Sequence, residues 1–100
     1  MNTSFFTAVS GMRVAQTRCA ASAHNVANAR TGGCAPLAVQ VEGVPLGGGV
    51  RATVQRLPEP GVDLAAEMVN PKVAAHAFGA NLRVFQTADR MLRQLLNVRG

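Results

Sequence analysis

Cys19, His24, Cys34 and His76 are the residues of this chain best suited to metal or redox chemistry. Thiolates and imidazoles hold zinc when four converge, and zinc sites recruit them as closely spaced pairs. Here the order is C-x4-H-x9-C, with the second histidine far downstream. By itself C-x14-C is neither a redox pair nor a disulfide framework. Acid–base work would draw on Glu42, Glu59, Asp63, Glu67 and Asp89. Asp63 and Glu67 stand four apart, but at the start of a helical pattern, where acidic groups favour the helix dipole. Neither Ser10 nor Ser22 has the G-x-S-x-G setting of an exposed nucleophile. Gly47–Gly49 leads into Val50-Arg51 rather than Lys-Ser/Thr, so it is no phosphate cradle. We therefore expect no catalytic, cofactor or metal site, and no enzymatic turnover.

The elements that carry these residues explain more than the residues do. From Gly61 to Leu96, Leu64, Met68, Pro71, Ala75, Phe78, Leu82, Phe85, Asp89, Leu92 and Leu96 recur at alternating steps of mostly four and three. Ala77, Asn81, Val84, Ala88, Met91 and Leu95 form a second row beside them. Two such rows describe a long helix with a broad apolar face, roughly 50 Å at about 1.5 Å per residue. Asp63 is placed as its N-cap, and Arg90, Arg93 and Arg99 suit its C-terminal end. A first helix is expected from Thr3 to Ala29, capped by Asn2 or Thr3 and stopped by Gly32-Gly33. Its rows are Phe5, Val9, Met12, Gln16, Cys19, Ala23, Val26 and, mostly of small residues, Ala8, Met12, Ala15, Cys19, Ser22, Val26.

Between the helices, Leu37, Val39 and Val41 alternate with polar or small residues, as do Val50, Ala52 and Val54. The Gly-rich stretch separating them predicts a β-hairpin with a loose loop. Leu57–Gly61 reads as a stiff linker. The expected fold is mainly α: two long terminal amphipathic helices packed as an antiparallel hairpin, with a short β-hairpin between. Residues 1–34 form the first helix and its turn, 35–60 the hairpin and linker, and 61–100 the second helix. Together they make one discontinuous helical core.

The chain has 100 residues, 48% of them hydrophobic, but no Trp, Tyr or Ile. Small side chains suit close helix approach better than a wide interior, so thin, extended packing is expected. A net charge of +5, with nine of ten cations Arg, keeps a small basic nucleic-acid-binding protein as an alternative. Arg83, Arg90 and Arg93 would be its phosphate contacts. The cations are scattered and no binding motif surrounds them, so nucleic acid is not the expected partner. The start lacks a secretory signal pattern, and no stretch reaches the roughly 20 apolar residues of a membrane helix.

Ser10-Gly11-Met12 followed by Asn25-x-Ala27-Asn28-x-x-Thr31-x-Gly33 resembles the N-terminal signature of the flagellar rod and hook family of axial proteins. VDLAxEMVN, AFxANLRV and TADRMLxxLL resemble that family's C-terminal segment, through Met68, Val69, Asn70, Phe78, Asn81, Leu82, Thr87, Ala88 and Leu92. The short middle segment is most similar to the proximal-rod members. The resemblance implies a structural subunit of the basal-body rod, a self-assembling, coiled-coil-like pair of terminal helices stacked around an axial channel. It implies other rod subunits and the flagellar export apparatus as partners, and export to the periplasm-spanning rod without a cleaved signal. Arg30, Cys34, Pro71 and Gly79 depart from the family's pattern, and a divergent paralogue that does not assemble is a further alternative. Proline inside a helix removes a donor and biases the residue before it against helical backbone, so a kink or break near Asn70 is expected, with a break favoured over a gentle bend. The segment from Asp63 would then be loosely anchored, and Phe78, Leu82, Phe85 and Leu92 would pack on Met12, Cys19 and Val26.

Overall fold

The computed structural model describes residues 2–29, 35–58, 61 and 63–99. In chain order these form α1 (Asn2–Ala27), β1 (Leu37–Gly43), β2 (Val50–Arg56) and α2 (Leu64–Arg99). The helical and alternating patterns thus fall on helices and strands respectively, with each strand running one residue further than its alternation. The expected stop at Gly32-Gly33 lies outside the described residues. Within them, α1 ends in a tightened turn: Asn28 N–H donates to the His24 carbonyl at 3.1 Å and Ala29 N–H to that of Val26 at 3.3 Å.

At the start of α2 the expected cap is present. The Asp63 carboxylate accepts the Ala66 N–H at 3.3 Å, and its carbonyl accepts the Glu67 N–H at 3.0 Å. The expected break near Asn70 is not: α2 continues through Pro71 as one 36-residue helix. Proline's φ is itself close to helical, so its penalty is a lost donor and crowding, about 3 kcal/mol. That penalty is opposed on both sides. Glu67 is hydrogen-bonded to Asn25 of α1 at 3.0 Å, and Ala74 is buried at 1% exposure. The segment before Pro71 is therefore anchored rather than loose.

The two strands are antiparallel, from Leu37 opposite Arg56 to Gly43 opposite Val50. The pleat puts Leu37, Val39, Val41, Val50, Ala52 and Val54 on one face, with Arg56 beside Leu37, and Gln40, Glu42, Arg51, Thr53 and Gln55 on the other. Leu37, Val39, Val50 and Ala52 of this face are half-buried beside α1, while Val41 and Val54 are exposed. Gly49, at φ 78°, lies so close to Ser10 that a Cβ there would collide with its side chain.

α1 is the middle of three layers. It touches both strands and α2, whereas no α2 Cα comes within 8 Å of a strand Cα. The helices run antiparallel: Phe5 meets Phe85 edge-to-face at 5.0 Å, Gly11 lies against Asn81, and Asn25 reaches Glu67. The result is a slab of 63 × 25 × 14 Å.

The seam between the helices differs from the expected stripes. Its buried members are Ala8, Ala15, Ser22 and Asn25 on α1, and Ala74 and Ala88 on α2, with Phe78, Asn81 and Phe85 half-buried. On α2 this seam runs between the two expected rows. Leu64, Met68, Ala75, Leu82 and Leu96 of the first row consequently face solvent. On α1 the small-residue row is the seam, but Asn25 rather than Val26 closes it, and Cys19 and Val26 are exposed. Small residues win because they allow the backbones to approach; Leu or Met on the seam would hold them apart. Of the expected contacts, Phe78 and Phe85 stay at the interface and Leu82 leaves it.

Candidate functional site

The most deeply buried large side chain is polar. Asn25 is 2% exposed on the last turn of α1, where it satisfies two other elements at once. Its Oδ1 accepts the Leu37 N–H at 2.7 Å, while its Nδ2 donates to the Leu37 carbonyl at 2.8 Å and to Glu67 Oε1 at 3.0 Å. An amide presents a donor and an acceptor side by side, as a strand does, so Asn25 pairs with the start of β1 in place of a third strand. Glu67 ties the same amide to α2. One side chain thereby fixes the register of α1, the hairpin and α2.

A second junction lies fifteen residues earlier on α1. Ser10 Oγ donates to the Thr7 carbonyl at 2.7 Å and accepts the Val50 N–H at 3.1 Å, fastening the start of β2. Its neighbour Gly11 faces the opposite layer. A Cβ on Gly11 would lie 2.6 Å from the Asn81 side chain, which instead bends back to donate to the Ala77 carbonyl at 2.9 Å. Adjacent residues of α1 thus hold the hairpin on one side and admit α2 on the other.

The signature residues fall into two groups. Asn25, Asn28, Phe78, Asn81 and Ala88 build the fold, with Asn28 Nδ2 donating to the His24 carbonyl at 2.9 Å. Met68, Val69, Asn70, Leu82, Thr87 and Leu92 are exposed on α2, and Ala27 is exposed on α1. Thr31 and Gly33 lie outside the described residues. Asn70 lines a cleft of about 330 Å³ with Arg18, Ser22, Leu37, Glu67 and Val73. Sequence reasoning assigned Glu67 to the helix dipole and missed its bond to Asn25. That role depends on the register between helices 42 residues apart, which no local pattern encodes.

Among the described residues no three of His, Cys, Asp and Glu come together as a metal site, and Cys34 lies outside them. Two cations have carboxylate partners: Arg51 with Glu42 at 2.7 Å and Arg93 with Asp89 at 3.1 Å. No helix among the described residues is long and apolar enough to cross a membrane.

The large apolar side chains are mostly outside. Leu64, Met68, Val69, Val73, Leu82, Val84, Met91, Leu92, Leu95 and Leu96 are all exposed on α2, whereas the buried apolar side chains among the described residues are Val14, Pro36 and alanines. Residues 55–98, which include all of this helix surface but its last residue, match the family model for the flagellar basal body rod FlgEFG protein C-terminal region. These residues are similar to the C-terminal segment of the flagellar rod family. The match spans every C-terminal signature residue from Met68 to Leu92, and the Asn25–Gly33 signature precedes it. No curated protein matches the chain.

Proposed function

We propose that this protein is a non-enzymatic structural subunit of the bacterial flagellar basal-body rod. Its paired terminal helices complete their core against other rod subunits. The observation that carries this reading is the inversion on α2: within the rod-family segment, alanine is buried and leucine and methionine are exposed. Contiguous apolar surface beyond a few hundred Å² marks an interaction site, and a rod wall of neighbouring helices would cover it. Basal-body location and delivery through the flagellar export apparatus belong to the same reading. Arg83 and Arg90 are exposed on α2, but they alternate with this apolar surface rather than forming a cationic stripe.

The test is fractionation of the host carrying an epitope-tagged chain. The tag should co-purify with detergent-extracted basal bodies, and Met68→Asp with Leu82→Asp should release it. Recovery of the unaltered chain only outside the basal-body fraction would contradict the proposal.

A further inference from the structure

The hairpin has two open edges, and its hydrogen-bond phase identifies the groups that face outward. Val44 N–H bonds to the Gly49 carbonyl at 2.8 Å and Leu57 N–H to that of Pro36 at 2.9 Å. In an antiparallel ladder hydrogen-bonded pairs alternate with non-bonded ones. Ala38, Gln40 and Glu42 therefore bond inward to β2, while Leu37, Val39 and Val41 direct their backbone groups outward. On β2 the outward positions are Val50, Ala52, Val54 and Arg56. The side-chain bonds to α1 agree with this phase: Asn25 takes the outward groups of Leu37, and Ser10 takes the outward N–H of Val50. Each edge is thus closed at one end by α1. Val39 and Val41 on β1, and Ala52 and Val54 on β2, retain outward groups without partners among the described residues.

We propose that these edges join copies of this chain, β1 of one copy pairing antiparallel with β2 of the next in the register used within the chain. Val39 then lies opposite Val54 of the next copy, and Val41 opposite Ala52. Three observations select this occupant. First, the edges differ in charge: β1 carries Glu42 and no cation, while β2 carries Arg51 and Arg56 and no anion. Joining unlike edges extends the Glu42–Arg51 pair into a row of alternating sign. Joining two β2 edges gathers four arginines, and joining two β1 edges leaves two glutamates without an intervening cation. Second, the shared register keeps Val39, Val41, Ala52 and Val54 on one continuous face, where Val41 and Val54 are exposed within a single copy. Third, the layers have matching widths. Two strands at about 4.8 Å advance each copy by roughly 10 Å, and helices pack at about 8–10 Å. Because the two edges differ, the pairing is head-to-tail and does not close on a dimer.

This inference rests on the reading that copies of the chain stand side by side, but its test requires no flagellum. Two variants are made with Cys19 and Cys34 changed to Ser, one with Gln40→Cys and the other with Thr53→Cys. In the proposed ladder these positions form a non-bonded pair between copies, with Cα atoms about 4.5 Å apart, within disulfide range. Under mild oxidation the mixture should give a disulfide-linked heterodimer, and neither variant alone should give a homodimer. Adding Ala52→Pro to the Thr53→Cys chain removes an outward N–H and should abolish the cross-link while leaving far-UV circular dichroism unchanged. Val41→Pro in the other chain should do the same. No heterodimer from the mixture, or homodimer from either variant alone, would overturn the edge pairing. Basal-body fractionation tests the rod reading separately.

Discussion

Replacing Asn25 by alanine removes three hydrogen bonds and strips partners from the Leu37 backbone and Glu67. We expect a loss of about 2–4 kcal/mol by chemical denaturation, since each abandoned buried group costs about 1–3 kcal/mol. Asn25→Asp keeps an acceptor for the Leu37 N–H but turns carboxylate oxygens towards the Leu37 carbonyl and Glu67. It should destabilise more than Glu67→Gln, and the double variant should recover part of the loss in a mutant cycle. Gly11→Ala tests the opposite junction. Alanine favours a helix by roughly 0.5–1 kcal/mol over glycine, but its Cβ would collide with Asn81. Alone it should destabilise by about 1–2 kcal/mol, the usual range for overpacking. Combined with Asn81→Gly, the Gly11→Ala step should become favourable. A destabilising step in both backgrounds would show that the contact is not the reason for glycine there.

Both helices and both strands were legible because their patterns are local: four-three spacing, period-two alternation, a capping aspartate and glycines at the turn. The seam was less so. On α2 two neighbouring rows were both apolar, and spacing alone favoured Leu64, Met68 and Leu82, which face outward. What decides the seam is the partner surface, where Ala8, Gly11, Ala15 and Ser22 admit only a close-packed neighbour. Pro71 illustrates the same limit. Local propensity argued for a break, and the tertiary anchors at Glu67 and Ala74 hold the helix continuous. Relieving the proline should therefore stabilise the fold as it stands. Pro71→Ala is expected to raise the unfolding free energy by about 1–3 kcal/mol, read as a higher denaturant midpoint at unchanged slope. A lower midpoint would mean that the helix needs proline's shape at this point.

As a whole, the molecule is a thin slab whose interior consists largely of alanines and an asparagine, while most of its described leucines and methionines lie on the outside. Asn25 and Asn81 were recognisable as signature residues, but their roles as a three-way tie and a helix contact emerge only when the layers are assembled. Beyond the start of α1, the last turns of α2 continue past Phe85, the partner of Phe5, with Met91, Leu92, Leu95 and Leu96 exposed. A chain built this way gains its missing burial from neighbours, so its stability should depend on their concentration. Thermal unfolding of the purified chain, followed by circular dichroism across a wide concentration series, addresses this dependence directly. A broad, weakly cooperative transition in dilute solution should sharpen and move to higher temperature as the chain is concentrated. A sharp transition of a monomer at one temperature throughout the series would contradict a subunit whose core is completed by assembly.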